Sequence, residues 1–154
     1  MRVSEIMTSA TVTDQPDDTL AEAARKMWKQ QTGSLLVIDG DDLVGIITER
    51  DVLKAVAAGA AINEIRLSEV MSKDLVTVGP GTSLREAAKL MAERWIRHLP
   101  VLDAGKLVGV LSQRDLAGVL AGALNEPDAL HQLVEASELV RERRLKRIEH
   151  GVWD

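Results

Sequence analysis

Gly45-Ile46-Ile47-Thr48-Glu49-Arg50-Asp51 is spelled again as Gly109-Val110-Leu111-Ser112-Gln113-Arg114-Asp115, 64 positions further along the chain. Outward from these stretches the register holds without a gap. Ser4-Glu5-Ile6-Met7 matches Ser68-Glu69-Val70-Met71, Val12-Thr13 matches Val76-Thr77, and Pro16 matches Pro80. Leu20-x-Glu22-Ala23-Ala24-x-x-Met27 matches Leu84-x-Glu86-Ala87-Ala88-x-x-Met91, and Leu43-Val44-Gly45 matches Leu107-Val108-Gly109. Solenoid repeats run to roughly 20–50 residues and need several copies. Two longer copies make a duplicated small module, with repeats at 1–61 and 62–124 and an unrelated tail at 125–154.

With 154 residues in all, each half alone would bury only a marginal core, so the halves are expected to pack on one another. The formal charge of -5 argues against dependence on phosphate-backbone attraction, and nucleic acid is not the expected partner. The absence of cysteine excludes disulfides and thiolate metal sites. The first residues carry an acid and no apolar run, unlike a secretory signal, and no stretch approaches a membrane span. A soluble cytoplasmic protein is the expectation. Aromatic residues are 2%, all tryptophan, so the core must be aliphatic and methionine-filled.

Within each copy, Val12-Thr13 or Val76-Thr77 reads as a short strand ended by a proline turn. Asp17-Asp18-Thr19 or Thr82-Ser83 then offers cap oxygens to a helix running to about residue 31 or 95, whose apolar residues at 20, 23, 24 and 27, or 84, 87, 88, 91 and 95, share one face. Leu35–Ile38 and Leu43–Ile47, like Leu99–Leu102 and Leu107–Leu111, flank a Gly-containing polar turn and form a hairpin. A second helix starts at Thr48 or Ser112 and ends near Gly59 or Gly122. The fold class is therefore α+β, built from two β-α-β-β-α units. In the tail, Asn125-Glu126-Pro127 signals a helix start, and Leu130, Leu133, Val134 and Val140 suggest one long helix. Its basic cluster around Arg143 and Arg144 is interleaved with acids and reads as a solvated face.

The doubled Gly-x-x-Thr/Ser-x-x-Asp leaves two readings open. In one, the glycine admits a close approach, the hydroxyl sits at a helix start suited to phosphate, and the carboxylate accepts from two ribose hydroxyls. In the other, hydroxyl and carboxylate form a capping box for their own helix. The box favours Glu or Gln, and the shorter Asp at both copies suits an outward contact instead.

These motifs, together with Arg97-His98-Leu99-Pro100-Val101, resemble a tandem pair of cystathionine-β-synthase (CBS) domains over residues 1 to about 122. The resemblance implies two repeats about a pseudo-twofold axis, with clefts for adenosyl ligands (AMP, ADP, ATP or S-adenosylmethionine; NAD is a further candidate). It also implies a regulatory module that is not an enzyme, requires no cofactor, and commonly forms a homodimer that acts on an effector protein. Magnesium would enter only with a triphosphate. Carried over by position, Thr48 and Ser112 would meet phosphate, Asp51 and Asp115 ribose, and Arg50 and Arg114 would neighbour the phosphates. The base would lie against Thr11, Val12, Thr13, Gly33, Ser34, Leu35 and Leu36 in a first cleft, and against Leu75, Val76, Thr77, Arg97, His98, Leu99 and Pro100 in a second. The clefts are expected between the repeats, with the residues of each cleft grouped by repeat.

Gly33-Ser34 stands where the second copy has Arg97-His98, and Glu49 where it has neutral Gln113, so two unequal sites are expected, with polyphosphate in whichever cleft gathers Arg97 and His98. Trp28 and Trp95 read as packing residues rather than base platforms, and His131, His150 and Trp153 have no motif around them. No nucleophile or metal constellation stands out. A dimerisation scaffold, or a nucleic-acid regulator using the basic tail, are the competing classes.

Overall fold

The computed structural model describes residues 1–9 and 11–123, with 138, 141, 142, 145 and 146. The tail helix expected from Asn125, along with His131, His150 and Trp153, lies outside the described residues. The first repeat runs β1 (Thr13–Asp14), α1 (Leu20–Gln30), β2 (Ser34–Asp39), β3 (Asp42–Thr48) and α2 (Glu49–Ala57). A short helix, α3 (Leu67–Val70), leads into α4 (Leu84–Arg94), β4 (His98–Asp103), β5 (Lys106–Ser112) and α5 (Gln113–Ala123).

Thr19 and Ser83 each close a capping box with Glu22 and Glu86, and both helices end on a left-handed residue, Gln31 or Trp95. The hairpins β2–β3 and β4–β5 are antiparallel, with a register shift at the same place, Val37/Ile38 and Val101/Leu102. β1 pairs in parallel with β2, matching Thr13 to Leu36 and Asp14 to Val37. The expected first strand of the second repeat shrinks to a single bridge, Val78 to Val101. The cause is Pro100: at the equivalent place the Leu36 N–H donates to the Val12 carbonyl at 2.9 Å, and proline has no N–H to give Val76.

Packing does not follow the boundary between repeats. Val3, from a 3-10 helix at Val3–Glu5, is fully buried among Ala87, Met91, Leu99, Val101 and Leu111 of the second repeat. Leu67 of α3 is fully buried among Leu20, Met27, Leu35 and Ile47 of the first. Each leading segment has crossed to the other core. The backbone repeats the exchange: Val3 N–H donates to Thr82 and Ser4 N–H to Pro80, while Leu67 N–H donates to Asp18 and Ser68 N–H to Pro16. Burying a leucine stabilises by about 1.5–3 kcal/mol, so each repeat depends on a residue the other supplies.

The glycines of the doubled motif serve this crossing. A Cβ on Gly45 would stand 2.4 Å from Met71 Sδ, and one on Gly109 would stand 2.8 Å from Met7 Sδ and 2.9 Å from the Thr8 carbonyl oxygen. The close approach expected of a ligand is made by the other repeat's methionine.

Candidate ligand clefts

The crossing decides where the motif residues face. Thr8 bridges to Val110 on β5, and Ser72 bridges to Ile46 on β3. Each leading segment therefore runs past the opposite repeat's motif before reaching its own first strand. Two clefts result, each assembled from both repeats. One, about 900 Å³, is lined by Ser112, Arg114 and Asp115 together with Thr11, Val12, Gly33, Ser34 and Leu36. The other, about 770 Å³, is lined by Thr48, Arg50 and Asp51 together with Leu75, Val76 and Pro100. Both volumes are in the range of small-molecule sites, roughly 300–1,000 Å³.

The clefts lie between the repeats as expected, but the grouping of their residues by repeat is corrected: the motif of each repeat joins the first-strand region of the other. Arg97, His98 and Gln113 line both clefts, so Arg97 and His98 do not distinguish them. Thr13, Leu35, Thr77 and Leu99 line neither. Leu35 and Leu99 are fully buried in the two cores, because strand alternation turns them away from the face that carries Leu36 and Pro100. Thr13 gives its carbonyl to Lys26 Nζ at 2.9 Å.

Sequence reasoning passed over several lining residues. Thr8, Gln30, Gln31 and Thr32 belong to the Asp115 cleft, and Lys54, Ser72, Asp74, Met91, Trp95 and Ile96 to the Asp51 cleft; Glu49, already set against Gln113 in the sequence, lines the Asp115 cleft. Thr8 and Ser72 hold equivalent positions, as do Gln31 and Trp95, so the repeat itself carried the signal. Trp95, read as a packing residue, is a cleft residue; Trp28 is 84% exposed.

Asp51 Oδ2 accepts from the Thr48 N–H at 2.8 Å and from its hydroxyl at 3.1 Å. Asp115 Oδ2 accepts from the Ser112 N–H and hydroxyl, both at 2.7 Å, and Ser112 Oγ accepts from the Asp115 N–H at 3.2 Å. The short carboxylate does reach its helix start, so the capping reading holds. It does not displace the binding reading, because both carboxylates also line a cleft. In each, Oδ1 has no hydrogen bond among the described residues and can accept from a ligand. The Val76 carbonyl, which Pro100 cannot engage, is likewise without one, whereas the Val12 carbonyl is taken by Leu36.

Between the clefts, Arg97 Nη2 lies 3.6 Å from Glu49 Oε2. A Cβ on Gly33 would stand 3.3 Å from His98 Cε1 and 3.4 Å from the Glu49 carboxyl, so the glycine of the first copy gives room to the His98 ring and to Glu49. Burial, then Arg97, push the His98 pKa below its ordinary value, against the opposing pull of Glu49 and Asp115. His98 is a neutral imidazole at neutral pH. No group of three or more metal-ligating side chains occurs among the described residues, and no helix among them is long and apolar enough to cross a membrane.

The profile of the CBS domain matches residues 3–58 and again 67–122. The CBS domain-containing protein YhcV of Bacillus subtilis (strain 168) is 37% identical over 115 residues, 75% of this chain and 82% of that protein. A protein with CBS domains from Burkholderia ambifaria MC40-6 superposes with a TM-score of 0.75 at 36% identity, covering 78% of this chain and 93% of the other. The CBS domain pair of protein MJ0100, solved in complex with 5-methylthioadenosine and S-adenosyl-L-methionine, superposes with a TM-score of 0.73 at 27% identity, covering 79% and 97%.

Proposed function

The chain belongs to the CBS domain family, with two copies in tandem, and from that premise we propose that it is a non-enzymatic regulatory module binding adenine nucleotides of the AMP, ADP and ATP class. The observation that carries this reading is that both Gly-x-x-Thr/Ser-x-x-Asp turns open onto a ligand-sized cleft shared between repeats. The adenosyl ligands of the MJ0100 pair support it.

In this reading Oδ1 of Asp51 or Asp115 accepts from the ribose hydroxyls, while Oδ2 holds the helix start in place. The N-termini of α2 and α5, with Arg50 or Arg114, attract the phosphates. In the Asp51 cleft the Val76 carbonyl accepts from the adenine 6-amino group. Because a ligand in either cleft touches both repeats, its binding favours one relative arrangement of them, which is what a sensor requires. The exposed Trp28, Leu53 and Val56 on α1 and α2 would serve a second copy of the chain or an effector protein.

A thermal-shift panel of AMP, ADP, ATP, NAD and S-adenosylmethionine tests the reading. A ligand at 100 times its Kd adds about 2.7 kcal/mol, a shift of several degrees in a chain this size. Silence from all five would leave a dimerisation scaffold as the better account. ITP in place of ATP should bind more weakly, since its 6-oxo group cannot donate to Val76.

A further inference from the structure

Glu49 is a charged residue by which the clefts differ. It stands where the repeat register puts neutral Gln113, and it lines the Asp115 cleft but not the Asp51 cleft. There it engages Arg97, the cation common to both, while its own side chain stays 62% exposed. On the other side the imbalance runs the opposite way. The Asp51 cleft gathers Arg50, Lys54 and Arg97 against Asp51 and Asp74, whereas the Asp115 cleft sets Arg97 and Arg114 against Glu49 and Asp115; the register replaces Lys54 with Gly118 in the second repeat. The walls differ too: Gln30, Gln31 and Thr32 line the Asp115 cleft where Trp95 and Ile96 line the other.

We propose that Glu49 sorts ligands between the two clefts, disfavouring polyphosphates in the Asp115 cleft relative to adenosyl ligands of less negative charge, while Lys54 draws the polyphosphate to the Asp51 cleft. This rests on the nucleotide reading above. The physical cause is simple: a carboxylate lining the cleft repels the incoming anion and at the same time occupies the arginine that would have met it.

Calorimetric titration of the full chain with ATP and with adenosine tests the assignment. The wild type should show one tight ATP site and a second weaker by about tenfold or more. Glu49→Gln should tighten the weak site by about tenfold and raise its preference for ATP over adenosine. The gain should vanish in the Glu49→Gln, Asp115→Ala double variant, whereas Lys54→Ala should weaken only the tight site. Two equal ATP sites in the wild type would overturn the proposal, as would a Glu49→Gln variant whose weak site is unchanged. An equal gain for adenosine would also overturn it, by making the effect one of space rather than charge. Absence of both ligands from every variant would defeat the nucleotide reading itself, and the sorting with it.

Discussion

Gly109 shows how a single residue was read correctly for the wrong partner. Its place in the motif signalled close approach, and the approaching groups are Met7 and a backbone oxygen rather than phosphate. Gly109→Ala should cost about 1–3 kcal/mol in denaturant unfolding, because the Thr8 carbonyl cannot rotate away. Gly45→Ala meets only the Met71 side chain among the atoms nearest to it, so Met71→Ala should recover much of its loss, while Met7→Ala should recover little of the loss at Gly109. Equal rescue at both positions would contradict the crossing geometry. His98 carries a pH signature. Its pKa is lowered in the folded state, so the unfolded chain takes up the proton first, and stability falls as pH drops below 6.5 toward the folded value. Between pH 7.5 and 5.5 the wild type should lose more thermal stability than His98→Gln; an identical loss would place the imidazole in solvent.

At the scale of elements, the helices and hairpins were legible because their periodicity and caps are local. Helices were expected to end near 31 and 95, and they end at Gln30 and Arg94. The first strand of the second repeat was not legible, because a strand exists only through a partner's hydrogen bonds and Pro100 withholds one. The same elements also differ in how their cores are filled. Asp14 on β1 is buried and pairs with Lys26 on α1, with Asp14 Oδ2 left without a partner; the register places Val78 and Leu90 there in the second repeat. Lys26→Leu alone should destabilise by about 1–3 kcal/mol, discounted because Lys26 is 43% exposed. Adding Asp14→Val should restore or exceed wild-type stability, since the apolar pair avoids the desolvation of two charges. Failure of the double variant to recover in urea melts would show that β1 needs its acid.

Across the whole molecule, the repeat revealed the number of modules and both motif turns, but not that each turn faces the opposite repeat. That fact depends on residues 1–8 and 65–72 crossing between cores, and no local pattern encodes a crossing. Only the recurrence of Met7 as Met71 and of Gly45 as Gly109 reflects it, once the contact is known. The consequence reaches function, because a ligand held by one repeat's carboxylate and the other's first strand must report on their relative placement. Methyl-resolved NMR during nucleotide titration of the wild type and Asp51→Ala measures this directly. Losing hydrogen bonds to a charged acceptor should weaken that cleft about ten- to a hundredfold. Asp51→Ala should suppress the perturbations at Leu75, Val76 and Ile96 in the second repeat and spare those at Val12, Leu36 and Val110; suppression at Val12 and Leu36 with Val76 intact would contradict the account.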